Sequence, residues 1–356
     1  MKNVRLLGFL MILASSFMFI QCTSDPIQGP PGTAGTDGVD GVDGVDGTTE
    51  CIACHNTANK EHAESTYLLS KHAIETTMYD GSKLSQYGNR NSCTQCHTSQ
   101  GYIDYMETGS AEDSYPTDSD QRITCVTCHS THTSFDFAND GYDYALRQGL
   151  MPVDLIVDPS YSIDMGASNT CVNCHQPRTA PPTDDGNGTF TVTSTHWGPH
   201  HGPQSTLLEG LNASLIPGTT GYPGVGSATH RTGASCIACH MGESTSDTEG
   251  AHTWNVTEDA CVTCHTSGAP TEVAGLAADM ATLADLLANV QGVDSNGDPI
   301  TGIVIDGSPV QGTFSINDSE AAWNYLYILE DKSNGIHNPA YSKAIIKNAI
   351  EVLQQQ

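Results

Sequence analysis

Twelve of the thirteen cysteines in this 356-residue chain fall into six copies of one pentapeptide, Cys-x-x-Cys-His. The copies are Cys51, Cys54 and His55; Cys93, Cys96 and His97; Cys125, Cys128 and His129; Cys171, Cys174 and His175; Cys236, Cys239 and His240; and Cys261, Cys264 and His265. Two thiols about one helical turn apart can add to the vinyl groups of a haem as thioethers. The histidine that follows is then held beneath the porphyrin as the proximal iron ligand. Six copies therefore predict six covalently bound haem c groups. Cysteine pairs with a histidine also build tetrahedral zinc sites, but here no motif has a partner Cys-x-x-Cys at zinc-ribbon spacing. Only Cys22 lies outside the motifs, which leaves no pair of thiols for an internal disulfide.

Each iron has a second axial position, and its occupant separates a carrier from a catalyst. Fifteen histidines less the six of the motifs leave nine: His62, His72, His132, His196, His200, His201, His230, His252 and His337. Local context selects five as distal ligands: His72, on a predicted helix; His132, just past a motif; His230 and His252, each ahead of a motif; and His337, after a helix. A sixth is expected from the cluster Thr195 to Gln204, where His201 ranks first and His196 second. His62 and His200 read as surface residues. With two imidazoles on every iron no position is left for a substrate, so the sequence assigns no catalytic residue. Paired imidazoles also favour the ferric state and low potentials.

The elements that must position these residues are sparse. Lys2 and Arg5 precede an apolar run from Leu6 to Ile20, the pattern of a secretory signal, and export is where haem c is attached. No Ala-x-Ala site ends the run, so residues 1–21 are read as a signal with lipidation of Cys22, against cleavage elsewhere or a retained anchor. Residues 22–50 form an acidic linker with glycine at every third position from Gly29 to Gly47, a collagen-like repeat too poor in proline for a triple helix of its own. The haem domain covers 51–270, its motifs starting 42, 32, 46, 65 and 25 residues apart. Residues 271–356 form a C-terminal helical segment that supplies a distal ligand. There Val273, Leu276, Met280, Leu283, Leu287 and Val290 recur at helical spacing. A hairpin is expected within 292–316, and further helices near 320–331 and 338–353. Asp294, Asn296 and Asp298 alternate like the start of a calcium loop, but no glutamate follows at the twelfth position and calcium is not expected.

The formal charge is −28, and loss of residues 1–21 removes two basic and no acidic residues, giving −30. That balance disfavours nucleic acid and anionic lipid surfaces. Large hydrophobes are scarce, with seven Phe and three Trp against 35 Gly, so porphyrins must supply much of the buried apolar mass. The fold expected is mainly α with extensive irregular structure, a multihaem cytochrome c fold organised around stacked haems with few or no strands.

The stretch from the second motif to the C-terminus resembles the pentahaem ammonia-forming nitrite reductases. The likeness is carried by His201, Ala228-Thr229-His230, the fifth motif with Met241, Ala251-His252, the sixth motif and Gly335-Ile336-His337-Asn338. It implies that His230, His252 and His337 are distal ligands of neighbouring haems. Two departures stand out: His97 replaces the lysine that is proximal at the reductases' catalytic haem, and Arg178 replaces a tyrosine three residues past the motif ending at His175. Both imply that the catalytic haem has become a carrier, with His201 free to cap its iron. The tail Asp331 to Tyr341 resembles those of cytochromes used in extracellular electron transfer.

These readings converge on an exported electron carrier, with other cytochromes or outer-membrane conduits as partners and a lipid anchor in the outer membrane, facing the periplasm or the cell surface. Two alternatives stay open: a reductase of nitrogen or sulfur oxyanions with one open haem, and a subunit that self-assembles into an extracellular filament.

Overall fold

The computed structural model describes residues 49–73, 91–111, 122–136, 144–200, 202–244 and 246–355. The signal, Cys22, the glycine repeat as far as residue 48, and His201 lie outside the described residues. The chain divides after Ala53 into two units, and all described residues but 49–53 belong to the second, Cys54–Gln356.

Every motif sits on or begins within a very short helix. These are α1 (Thr49–His55), α3 (Asn91–His97), α5 (Cys125–Cys128), α6 (Asn169–Val172), α9 (Cys236–His240) and α10 (Glu258–Val262). Cysteine, threonine, asparagine and histidine are poor helix formers, so nothing prolongs these turns. One turn suffices, because residues three apart share a helix face. Two of their starts are capped by threonine: the Thr124 N–H donates to the Thr127 hydroxyl at 2.9 Å, and the Thr257 hydroxyl accepts from the Asp259 N–H at 3.2 Å.

Two longer helices stand beside the first motifs. Helix α2 (Thr57–Tyr67) is capped by Asn56, and α4 (Ser99–Thr108) by Thr98, ending at left-handed Gly109. Helix α4 packs on α3 because Gly101 has no Cβ, which would otherwise overlap the Thr94 carbonyl. Short helices α7 (Gln204–Glu209) and α8 (Thr229–Gly233) fall between the fourth and fifth motifs.

After the last motif the character changes. The predicted amphipathic helix is α11 (Leu276–Leu287), with Leu276, Leu283 and Leu287 buried. It packs with α12 (Ile316–Asp331) and α13 (Pro339–Gln354). Strands β4 (Gln291–Val293) and β5 (Pro299–Thr301) form the expected hairpin. Asp294 serves its turn: one carboxylate oxygen accepts the N–H groups of Asn296 at 2.8 Å and Asp298 at 2.9 Å.

Strands are few and short, as expected. The pairs β1 (Val153–Asp154) with β2 (Ser162–Ile163), and β6 (Val304–Ile305) with β7 (Ser308–Pro309), are short. The hairpin, however, grows into a four-stranded antiparallel sheet ordered β3-β8-β4-β5, where β3 is Thr189–Val192 and β8 is Gly312–Ser315. Strand β3 was not apparent in the sequence because its partner lies far downstream, with Phe190 facing Phe314 in the register. The Phe314 ring lies over Gly292, where a Cβ would come within 2.5 Å of it.

One hydrophobic core joins this sheet, α7 and α11 to α13, and Trp323, Tyr327, Tyr341, Phe314 and Ile345 are fully enclosed. A smaller cluster of Val153, Leu155, Ile163 and Val172 sits behind the fourth motif. Between α12 and α13 the chain turns through left-handed Lys332, Asn334 and Gly335, and a side chain at Gly335 would collide with Leu276. That tight turn delivers His337. Among the described residues no helix is long and apolar enough to cross a membrane.

Candidate haem-binding site

Five motif histidines each face one histidine from outside the motifs. Ring centroids are 6.1 Å apart for His55 and His132, 6.2 Å for His175 and His72, 6.3 Å for His129 and His252, 6.2 Å for His265 and His230, and 6.3 Å for His240 and His337. Direct packing of aromatic rings scatters between about 4.5 and 7 Å. A metal flanked by two imidazoles demands one value: about 2 Å from metal to nitrogen plus about 1.1 Å from nitrogen to ring centre, doubled to about 6.2 Å. All five distances fall on it, and none of the pairs joins two motif histidines. The residues present therefore fit iron between the rings.

Five of these rings are held through Nδ1. Nδ1 of His129 donates to the Tyr144 carbonyl at 2.8 Å, that of His230 to Ile336 at 2.6 Å, and that of His240 to Trp254 at 2.8 Å. His175 Nδ1 donates to the Gln204 side-chain carbonyl at 3.2 Å, and His337 Nδ1 meets the Asp331 carboxylate at 2.6 Å. Such partners fix the tautomer that leaves Nε2 free to bind a metal.

Protonation states agree. Burial, then the charge of His175, pushes His72 down to about 4. Burial also lowers His240 and His252. His175 is lowered as well, chiefly by the chain packed around it. These imidazoles are neutral at pH 7 and carry the lone pair a metal needs. For His337 burial again favours the neutral form, but the adjacent Asp331 outweighs it and raises the pKa.

The thiols of different motifs also meet. The Cys96 and Cys174 thiols are close enough to shift one another's ionisation, as are those of Cys171 and Cys236, so the fourth attachment site lies beside the second and the fifth. Behind it Asn173 donates to Gln148 at 2.9 Å, Tyr102 at 3.3 Å and the Asn169 carbonyl at 3.3 Å. Trp254 links three pairs: its ring centroid lies 4.7 Å from that of His72 and 5.4 Å from that of His252, and its carbonyl receives His240.

Of the distal candidates read from the sequence, His72, His132, His230, His252 and His337 all lie opposite a motif histidine. His201 falls outside the described residues, and His196 is exposed and belongs to none of the five pairs. His97 ends α3, His62 is exposed on α2, and His200 is half-buried at φ 70°. Arg178 lies near the second motif, where its charge acts on Cys96. Sequence reasoning did not find Gln204, Asp331, Asn173 or Trp254. The only signal was the presence of amide, acid or indole side chains in otherwise small, polar segments.

Six Cys-x-x-Cys-His motifs, five of them with a second imidazole facing the motif histidine, are the residues with which a multihaem c-type cytochrome holds haem c. Residues 50–130 match the family model of cytochrome c554 and c-prime. Among solved structures the chain is similar to the outer cell wall cytochrome OcwA, with TM-score 0.49 and 18% identity, covering 82% of this chain and 50% of that one. It is also similar to the undecaheme cytochrome from the S-layer of Carboxydothermus ferrireducens, with TM-score 0.46 and 18% identity, covering 80% of this chain and 40% of that one. The chain thus spans half or less of the length of these solved structures. No curated protein matches it.

Proposed function

We propose that this protein is an exported hexahaem cytochrome that relays single electrons between a respiratory donor and a terminal or extracellular acceptor, without bond chemistry of its own. The carrying observation is the set of five histidine pairs at 6.1 to 6.3 Å. Haem supplies a reversible one-electron couple when bound. The chain supplies the rest: twelve thiols for attachment, a motif histidine and a facing histidine for each iron, and Nδ1 partners that hold the rings. His97 takes His201, with His196 as the alternative. Capping by imidazole on both sides excludes substrate from the iron and favours the ferric state.

Contact between attachment sites supports rapid passage from one haem to the next, since the second, fourth and fifth motifs adjoin through Cys96 with Cys174 and Cys171 with Cys236. The N-terminal signal supports export, and Cys22 followed by the glycine-repeat linker supports a lipid tether to the outer membrane. Partners are other cytochromes or outer-membrane electron conduits. The test is a count of low-spin and high-spin irons by paramagnetic resonance, with haem content by mass. Six low-spin ferric haems are expected, and a high-spin haem whose reduced form binds carbon monoxide readily would favour a reductase instead.

A further inference from the structure

Nδ1 partners are described for five rings, which belong to four of the pairs. Three of these partners are backbone carbonyls and one is the amide of Gln204, all uncharged; the fifth, facing His337, is the carboxylate of Asp331. Asp331 is 2% exposed, and its arrangement is built rather than incidental. One oxygen lies 2.6 Å from His337 Nδ1, and the other accepts the Ser333 N–H at 3.1 Å as well as the Ser333 hydroxyl. The Gln204 side chain anchors the same helix end, donating to the carbonyls of Glu330 at 3.4 Å and Asp331 at 3.3 Å. The acid therefore has no solvent to screen its charge and no freedom to turn away.

A carboxylate draws the Nδ1 proton toward itself and leaves more electron density on Nε2. A more basic ligand stabilises ferric over ferrous iron, and a buried negative charge acts in the same sense. Carbonyl and amide partners do this far less. We infer that Asp331 is a potential-setting residue that lowers the potential of the iron held between His240 and His337. The inference rests on the ligand reading given above. It has a consequence for the relay: the fifth motif adjoins the fourth through Cys236 and Cys171, and the sixth through Cys239 and Cys261. The centre lowered by Asp331 thus stands inside the series, where it gives up its electron readily and makes electron passage onto it an uphill step.

The experiment is a spectropotentiometric titration of the full-length, haem-loaded protein and its Asp331→Asn variant, with paramagnetic resonance of both. Asparagine keeps an oxygen acceptor for His337 and removes the charge. Expected is a displacement of one macroscopic potential by about tenfold in the ferric-to-ferrous ratio, about 59 mV upward for a one-electron couple. The low-spin count should stay constant, a combination that a merely structural role for Asp331 does not produce. Unchanged potentials with all haems low-spin overturn the inference and leave the ligand reading intact, whereas high-spin iron in the wild-type protein at this site overturns the ligand reading itself. Should the variant fail to load haem, near-infrared magnetic circular dichroism of the wild type decides. One ferric charge-transfer band displaced to higher energy supports the inference, and bands without such an outlier overturn it.

Discussion

Two regions of this molecule solve the same problem with different materials. From Cys54 to His265 the enclosed side chains are largely small or polar, such as Thr94, Thr98, Ser99, Thr127, Ser168, Asn169, Asn173 and Gln176. From Leu276 to Leu353 they are Trp323, Tyr327, Tyr341, Phe314, Ile345 and a set of leucines. The second region encloses apolar area of its own in helices of 12 and 16 residues and a sheet. The first has turns, caps and buried amides. Leu68, Val126, Phe135 and Met151 turn apolar faces outward there, surfaces suited to a porphyrin rather than to each other. A chain with so little apolar mass of its own cannot offset its conformational entropy by side-chain burial alone. In the motif region bound haem would be the core as well as the cofactor.

The largest effect should come from removing that core. With Cys171 and Cys174 both changed to Ser, the central attachment site is lost, and amide exchange across 91–175 should become fast. Helices α11 to α13 and strands β4 and β8 should keep slow exchange. Equal loss of protection in both regions would break the contrast. The converse perturbation is Trp323→Ala. Trp323 is fully enclosed and donates through Nε1 to the Asn212 carbonyl at 2.9 Å. Its truncation should destabilise the C-terminal core by about 3 to 5 kcal/mol in denaturant unfolding, with the haem absorption spectrum retained below the transition.

Acid should act on the motif region first. His72 is held near 4, below the ordinary value of 6.5, by burial and by His175. Between those values the unfolded chain binds a proton that the folded chain does not, so this contribution to stability is complete above 6.5 and lost as the pH falls toward 4. Iron on the ring extends the window further downward. A titration from pH 7 to 3 should therefore show haem spectral changes before the tryptophan fluorescence of Trp323 responds. The reverse order would count against a motif region more acid-labile than the C-terminal core.

The two regions were also unequally legible. The C-terminal helices could be read from spacing, because Leu276, Leu283 and Leu287 recur with the helical period that their burial demands. Strand β3 could not, since pairing Phe190 with Phe314 is decided by tertiary contact and not by local pattern. Among site residues, the motifs name one ring of each pair, and local context singled out the facing histidines. Which faces which was hidden. His132 lies three residues past His129 yet faces His55, and His230 precedes the fifth motif yet faces His265 of the sixth. Asp331 and Gln204 were hidden for the same reason, because an acid or an amide becomes a ligand's partner only when folding buries it beside the ring.

The smallest effect lies where the two regions join. Asn338 follows His337 and caps α13: its side-chain oxygen accepts the Tyr341 N–H at 3.2 Å, and its amide donates to the Leu208 carbonyl at 3.4 Å. Pro339 at the first turn already presets the helical φ, so the helix does not depend on the cap alone. Asn338→Ala should cost about 1 kcal/mol of stability, the usual worth of a cap. It should leave the spin state of the His240 and His337 pair unchanged, because His337 is held independently by Asp331 and by the tight turn at Gly335. A variant that turned high-spin would mean that the ligand is positioned by the helix start and not by the acid. The C-terminal core would then be an essential part of the site rather than a separately stabilised neighbour.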